Sequence, residues 1–183
     1  MATKTLLSIG QYNDLKEPVG VRYELDRGEL IGTPSPPPMH NIICGEIHGR
    51  LNEWAKENNR GQVLYEVDVR LGDDTVRRPD VMFFGRERIK DIDLDQVPVP
   101  IAPDLVIEVV SKNDQPDDLM LKVRQYLQAG VRAVWLLYRK PREAHRYIPE
   151  ALQPSVVNAE RGGKLEEPEM LPGFSLLLSE ILR

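Results

Sequence analysis

The stretch Leu105-Val106-Ile107-Glu108-Val109-Val110 constrains the fold more than any other part of the sequence. A continuous, largely β-branched run of this length is the mark of a strand covered on both faces, since no polar face alternates with the apolar one. Glu108 is the exception within it. An unpaired charge at such a position costs several kcal/mol, so this carboxyl is protonated, paired or bound to a cation.

The segments around the run give a mixed α/β order. Tyr23-Glu24-Leu25 and Glu29-Leu30-Ile31 flank Asp26-Arg27-Gly28 and read as a β-hairpin. Four prolines between Thr33 and Pro38 make a stiff connector that is neither helix nor interior strand. Ile43, Ile47, Leu51 and Trp54 recur at helical spacing, which predicts an amphipathic helix from His40 to about Asn58. The alternation of Val63, Tyr65, Val67 and Val69 predicts one strand, and Gly72-Asp73-Asp74 a turn. Asp80 to Phe84 reads as a short strand, Gly85 to Pro100 as a charged loop. A second helix capped by Asp117 or Asp118 runs through Leu121, Lys122 and Tyr126 to Gly130 at its C′ position. The strand Ala133 to Tyr138 follows at once, which implies a parallel pair joined by a right-handed crossover. Ala144 to Ile148 reads as a further strand and Leu176 to Leu182 as a closing helix.

With 183 residues, 41% hydrophobic and 29% charged, the chain suits one soluble globular domain, with residues 1–20 read as an N-terminal extension. The apolar patch at Leu6 and Leu7 is too brief for a signal peptide, and no run approaches the roughly 18 apolar residues of a membrane span. A cytoplasmic protein without membrane contact is expected. A single cysteine, Cys44, rules out an intrachain disulfide and a cysteine-based zinc site, and suits a small buried residue in the first long helix. The net charge of −5 argues against coating nucleic acid by bulk electrostatics, but leaves room for local contacts through placed arginines.

Three positions concentrate chemistry. Asp80 follows Pro79 at the start of a strand and is free to project from the sheet end. Glu108 is the buried charge. Lys122 shares a helical face with Gln125 and Tyr126. Taken singly, Asp80 also suits a turn or cap, Glu108 an ion pair, Lys122 a solvated helix charge. The order of elements says more than any one position: a helix, a strand pair, Pro79-Asp80, a strand carrying Glu108 and a following helix that bears Lys122.

Tyr23-Glu24-Leu25, Gly28-Glu29-Leu30, His40 opening a helix, Pro79-Asp80-Val81, Pro103-Asp104-Leu105 through Ser111, Lys122-x-x-x-Tyr126, Gly130-Val131 with Trp135, and Leu171-Pro172-Gly173-Phe174 resemble the Uma2 family. The resemblance covers roughly Arg22 to the C-terminus. Uma2 proteins are restriction-endonuclease-like members of the PD-(D/E)xK nuclease superfamily. The resemblance implies an α-β-β-β-α-β core with a mixed central sheet behind the N-terminal hairpin. It also implies a Mg²⁺-dependent endonuclease (Mn²⁺ substituting) that hydrolyses phosphodiester bonds, with DNA as partner; a homodimer is expected because cutting both strands with one small domain usually requires two active centres. An inactive nucleic-acid-binding protein on the same scaffold and an RNA nuclease are the alternatives.

By the same resemblance, Asp80, Glu108 and the Val109 carbonyl are the metal ligands. Val110 stands where the superfamily has its lysine, so Lys122 is assigned to reach the site from the helix, with Lys112 as competitor. His40, Arg78, Gln125 and Tyr126 are candidates for substrate contact, and Glu46 for an outer metal partner. Arg77, Arg86, Arg88 and Lys90 are candidates for guiding the nucleic-acid backbone.

Overall fold

The computed structural model describes residues 6–183; the reading of the first five residues lies outside them. Along the chain run α1 (Ile9–Asn13), β1 (Val21–Asp26), β2 (Glu29–Pro34), α2 (Pro38–Glu57), β3 (Gly61–Tyr65), β4 (Val69–Arg70), β5 (Val76–Arg77), β6 (Val81–Gly85), α3 (Arg86–Ile89) and β7 (Leu105–Val110). Then come α4 (Pro116–Gln128), β8 (Ala133–Tyr138), β9 (Glu143–Tyr147), β10 (Ser155–Asn158), a 3₁₀ turn, β11 (Lys164–Leu165), β12 (Leu176–Leu177) and α5 (Leu178–Ile181).

A large sheet of order β10-β9-β8-β7-β6-β3 forms the middle layer. Its β7–β8 pair is parallel, and its other pairs are antiparallel. β7 has a neighbour on each side and a helix over each face, as its apolar run requires. Ile43, Ile47, Leu51 and Trp54 of α2 pack on Leu105, Ile107 and Val109. Leu119, Val123 and Tyr126 of α4 pack on Val106 from the opposite side. Successive strand residues point to opposite faces, so Glu108 shares the α4 face with Val106 and meets Tyr126.

A smaller antiparallel sheet of order β2-β1-β5-β4 stands beside the first. The hairpin β1–β2 turns at Arg27 and Gly28, both with positive φ. Tyr12 of α1 is buried against Leu25 and Val76 of this sheet. The chain leaves β5 through Arg78-Pro79 and enters β6, so Asp80 lies at the seam between the sheets.

Several local expectations are corrected. The alternation from Val63 to Val69 spans two strands of different sheets, because Glu66 adopts φ of 53° and ends β3. Gly85 to Pro100 contains α3, anchored by buried Ile89. α4 starts at Pro116, whose missing N–H costs nothing in the first turn. Asp117 and Asp118 therefore do not cap it; they lie within that turn, where acidic groups favour the positive helix end. Leu176 and Leu177 pair with β11 before α5 begins, which shortens the closing helix to Leu178–Ile181.

Candidate active site

Val81 pairs with Ile107, so the next step of the same antiparallel register sets Asp80 opposite Glu108. The two carboxyls are interlocked through the backbone. Asp80 N–H donates to Glu108 Oε2 at 3.3 Å, and Val109 N–H donates to Asp80 Oδ2 at 2.7 Å. The Val109 carbonyl leaves an extended strand on the same edge as its N–H, towards Asp80. Tyr126 donates its hydroxyl to Glu108 Oε1 at 2.6 Å. Burial, and then the Asp80 carboxylate, push the Glu108 carboxyl from 4.5 up to about 8. Burial, and then Glu108, likewise raise the Tyr126 phenol.

His40 enters from the first turn of α2, with Nε2 3.1 Å from Asp80 Oδ2 and Nδ1 3.5 Å from Cys44 Sγ. Burial alone would lower its pKa, but the Asp80 carboxylate outweighs burial and raises it. Cys44 is buried, and burial followed by the Asp80 charge holds it as a neutral thiol. His40, Cys44 and Asp80 form a compact group of metal-ligand types. The ring turns one nitrogen to each partner, however, so it links them instead of joining them around one point.

Lys122 projects from α4 towards the seam with its side chain 25% exposed, and its Nζ lies 2.8 Å from Glu24 Oε2. Burial would lower this amine, but Glu24 and then Glu108 raise it. Glu24, buried on β1, also receives Arg77 Nη1 at 3.1 Å and the Arg78 N–H at 3.0 Å. Burial opposes its ionisation, yet Lys122 and Arg77 together bring its pKa below the usual value. Gln125 completes the cluster, accepting from Arg77 Nη2 at 2.6 Å and donating to Asp26 at 2.7 Å.

Asp80, Glu108, His40, Lys122 and Glu24 line a cleft of about 1030 Å³ between the hairpin, α2, α4 and the ends of β7 and β8. The structure thus brings together Asp80, Glu108, Val109, Lys122 and His40, with Gln125 and Tyr126 just behind them. The Arg78 guanidinium is committed to Asp68 at 2.6 Å and Glu17 at 2.8 Å. Glu46 lies 4.0 Å from Arg183 and lines no part of the cleft. Arg77 is locked between Glu24 and Asp26, while Arg86 and Arg88 of α3 and Lys90 just after it lie outside the cleft. Lys112, Arg139 and Lys140 line it in their place. Glu24 is the site residue that sequence reasoning missed, because a glutamate between Tyr23 and Leu25 in a hairpin strand looks like an ordinary wet-face residue.

The donor set suits a hard divalent cation. Asp80 and Glu108 are tied to each other's strands beside the Val109 peptide, and among the described residues Glu108 receives its hydrogen bonds from neutral donors, Tyr126 and the Asp80 N–H. At Glu108, burial and the Asp80 charge outweigh Lys122 and the Tyr126 hydroxyl, an imbalance that a bound cation would relieve.

No curated protein matches the chain. A solved structure described as "a putative nuclease belonging to DUF820 from Anabaena variabilis" superposes with a TM-score of 0.82 at 20% identity, covering 96% of this chain and 97% of that one. At that identity the likeness establishes the shared fold. The sequence profile of Uma2, described as "Putative restriction endonuclease", matches residues 9–179, and the chain belongs to this family.

Proposed function

We propose that the chain is a Mg²⁺-dependent endonuclease that hydrolyses phosphodiester bonds in DNA. The observation that carries this reading is the carboxyl pair at the sheet seam, in which Glu108 is held protonatable by burial and by Asp80. Asp80, Glu108 and the Val109 carbonyl would hold the ion. When bound, such a cation polarises a phosphodiester oxygen and makes a water more acidic. Lys122 faces the same cleft as a cation held by Glu24, placed to orient the attacking water and offset charge on the phosphate. His40 fixes the Asp80 carboxylate from the α2 side, and Tyr126 fixes Glu108 from the α4 side. What supports a working site over a scaffold that only binds is that Lys122 lines the same cleft as Asp80 and Glu108 and its charge acts on the Glu108 carboxyl.

The test is cleavage of DNA and RNA by purified protein in Mg²⁺, Mn²⁺ or EDTA, with Asp80→Asn and Glu108→Gln as controls. Wild type should cut DNA only with metal, and both variants should be inactive. Cleavage that survives EDTA or either substitution would overturn the assignment, and cleavage confined to RNA would replace DNA as substrate.

A further inference from the structure

The cations deep in the cleft are already occupied. Arg22 pairs with Glu66 at 2.8 Å, Arg77 with Glu24 and Asp26, Arg78 with Asp68 and Glu17, and Lys122 with Glu24. None of them receives a phosphate without releasing a carboxylate. Lys112, Arg139 and Lys140 differ: all three are exposed and line the cleft, and no ion pair or side-chain hydrogen bond engages them among the described residues. Parallel register explains their grouping. Val110 of β7 pairs with Tyr138 of β8, so Lys112 and Lys140, each two residues further on, leave adjacent strands at the same level. Of the acidic neighbours, Asp114 accepts the Ser111 N–H, and Asp118 stands on the first turn of α4. The rim keeps a positive balance.

The lining contributed by β2 and the start of α2 is of another kind, with Ile31, Pro36, Pro37 and Met39 supplying apolar surface. A duplex presents phosphates on both sides of a groove and calls for cations on both walls. Here unpaired cations stand on one side only, since Arg22 on the hairpin side is held by Glu66. Tyr138 lines the cleft beside Arg139, half-buried and braced by the His145 ring at a centroid distance of 4.6 Å. A basic track beside an aromatic platform is the arrangement that holds one strand by phosphate contact and base stacking. Glu108 is only 8% exposed at the cleft floor, so the reacting phosphate must descend into it, which a freely turning single strand allows.

We propose that the cleft takes DNA as a single, unpaired strand, with phosphates on Lys112, Arg139 and Lys140, a base on Tyr138, and neighbouring bases along the apolar wall. This rests on the nuclease reading for its choice of nucleic acid, but its test does not need cleavage. A fluorescein-labelled oligonucleotide, single-stranded or as its duplex, is titrated in EDTA with wild type and exposed-residue variants whose fold is checked by circular dichroism. The single strand should bind about tenfold or more tighter than the duplex. Replacing Lys112, Arg139 and Lys140 together by alanine should weaken it at least about tenfold and flatten the log-affinity against log-salt slope by about 2, from roughly 0.7 counterions per contact. Tyr138→Leu should weaken it about tenfold while leaving the slope unchanged. Equal or tighter duplex binding, or a triple variant that binds like wild type, would overturn the proposal, and tighter binding of the same sequence as RNA would overturn the choice of DNA. Rim-dependent strand binding without cleavage in Mg²⁺ would remove the nuclease reading and keep this one. Metal-dependent cutting of duplex by the triple variant at the wild-type rate would do the reverse.

Discussion

A carboxyl enclosed by Tyr126 and a second carboxyl takes up a proton more readily than it would in water, and this sets the pH behaviour of Glu108. Because its folded-state pKa is raised from 4.5 to about 8, its contribution to stability is fully present below about pH 4.5 and is lost as pH rises through about 8. In EDTA the melting temperature of wild type should therefore fall more between about pH 5 and 9 than that of Glu108→Gln, and parallel curves would remove Glu108 as the cause. Millimolar Mg²⁺ should raise the melting temperature most above about pH 8, where no proton competes for the carboxylate, and should leave Asp80→Asn unchanged. Lys122 serves a second purpose as a counter-ion to Glu24. Lys122→Ala should abolish detectable cleavage and destabilise the fold by about 2 kcal/mol, less than the roughly 3–5 of a wholly broken buried pair because Arg77 still holds Glu24. Adding Glu24→Gln should recover most of that stability and none of the cleavage, as read by chemical denaturation beside a cleavage assay.

Among the elements, β7 alone fixes most of the site's directions. Val110 is the next residue on the Glu108 face and lines the cleft, so Val110→Lys in the Lys122→Ala background should return measurable cleavage by restoring an amine to the strand. No recovery, with the fold intact, would mean that the amine must come from α4. β7, β8 and α2 were legible in the sequence because an unbroken β-branched run and a helical repeat each allow one local structure. The approach of Asp80 to Glu108 was only partly legible: Glu108 stands out as a charge inside an apolar strand, whereas Asp80, at a strand start, also suits a turn or cap, and it was the order of elements and the resemblance to Uma2 that joined the two. Glu24 was not legible, since its burial arises only when α4 of the large sheet lays Lys122 over a strand of the small one. Nor was the break at Glu66, because an alternation of period two continues unchanged while the chain passes from one sheet to another. The unpaired rim cations were equally hidden: Arg86, Arg88 and Lys90 look more clustered in sequence than Lys112, Arg139 and Lys140, which only parallel register assembles.

Across the whole molecule, the two sheets contribute different parts of one centre. The small sheet brings Glu24, Asp26 and Arg77, the large one Glu108 and Val109, and Asp80 hangs on the short link Arg78-Pro79 between them. The long connection from β6 to β7 bears no such burden, since its ends are tied by the Asp104 carboxylate on the Gly85 N–H at 2.7 Å and its middle is exposed. The fold therefore has a length-critical joint and a length-tolerant one. One glycine inserted between Asp80 and Val81 shifts Asp80 off the row of Glu108 and should end both cleavage and Mg²⁺ stabilisation, while the same glycine after Asp93 should leave both within about twofold of wild type. Natural relatives should show the same asymmetry, with insertions and deletions gathering in the second connection and sparing the two residues that carry the chain across the seam.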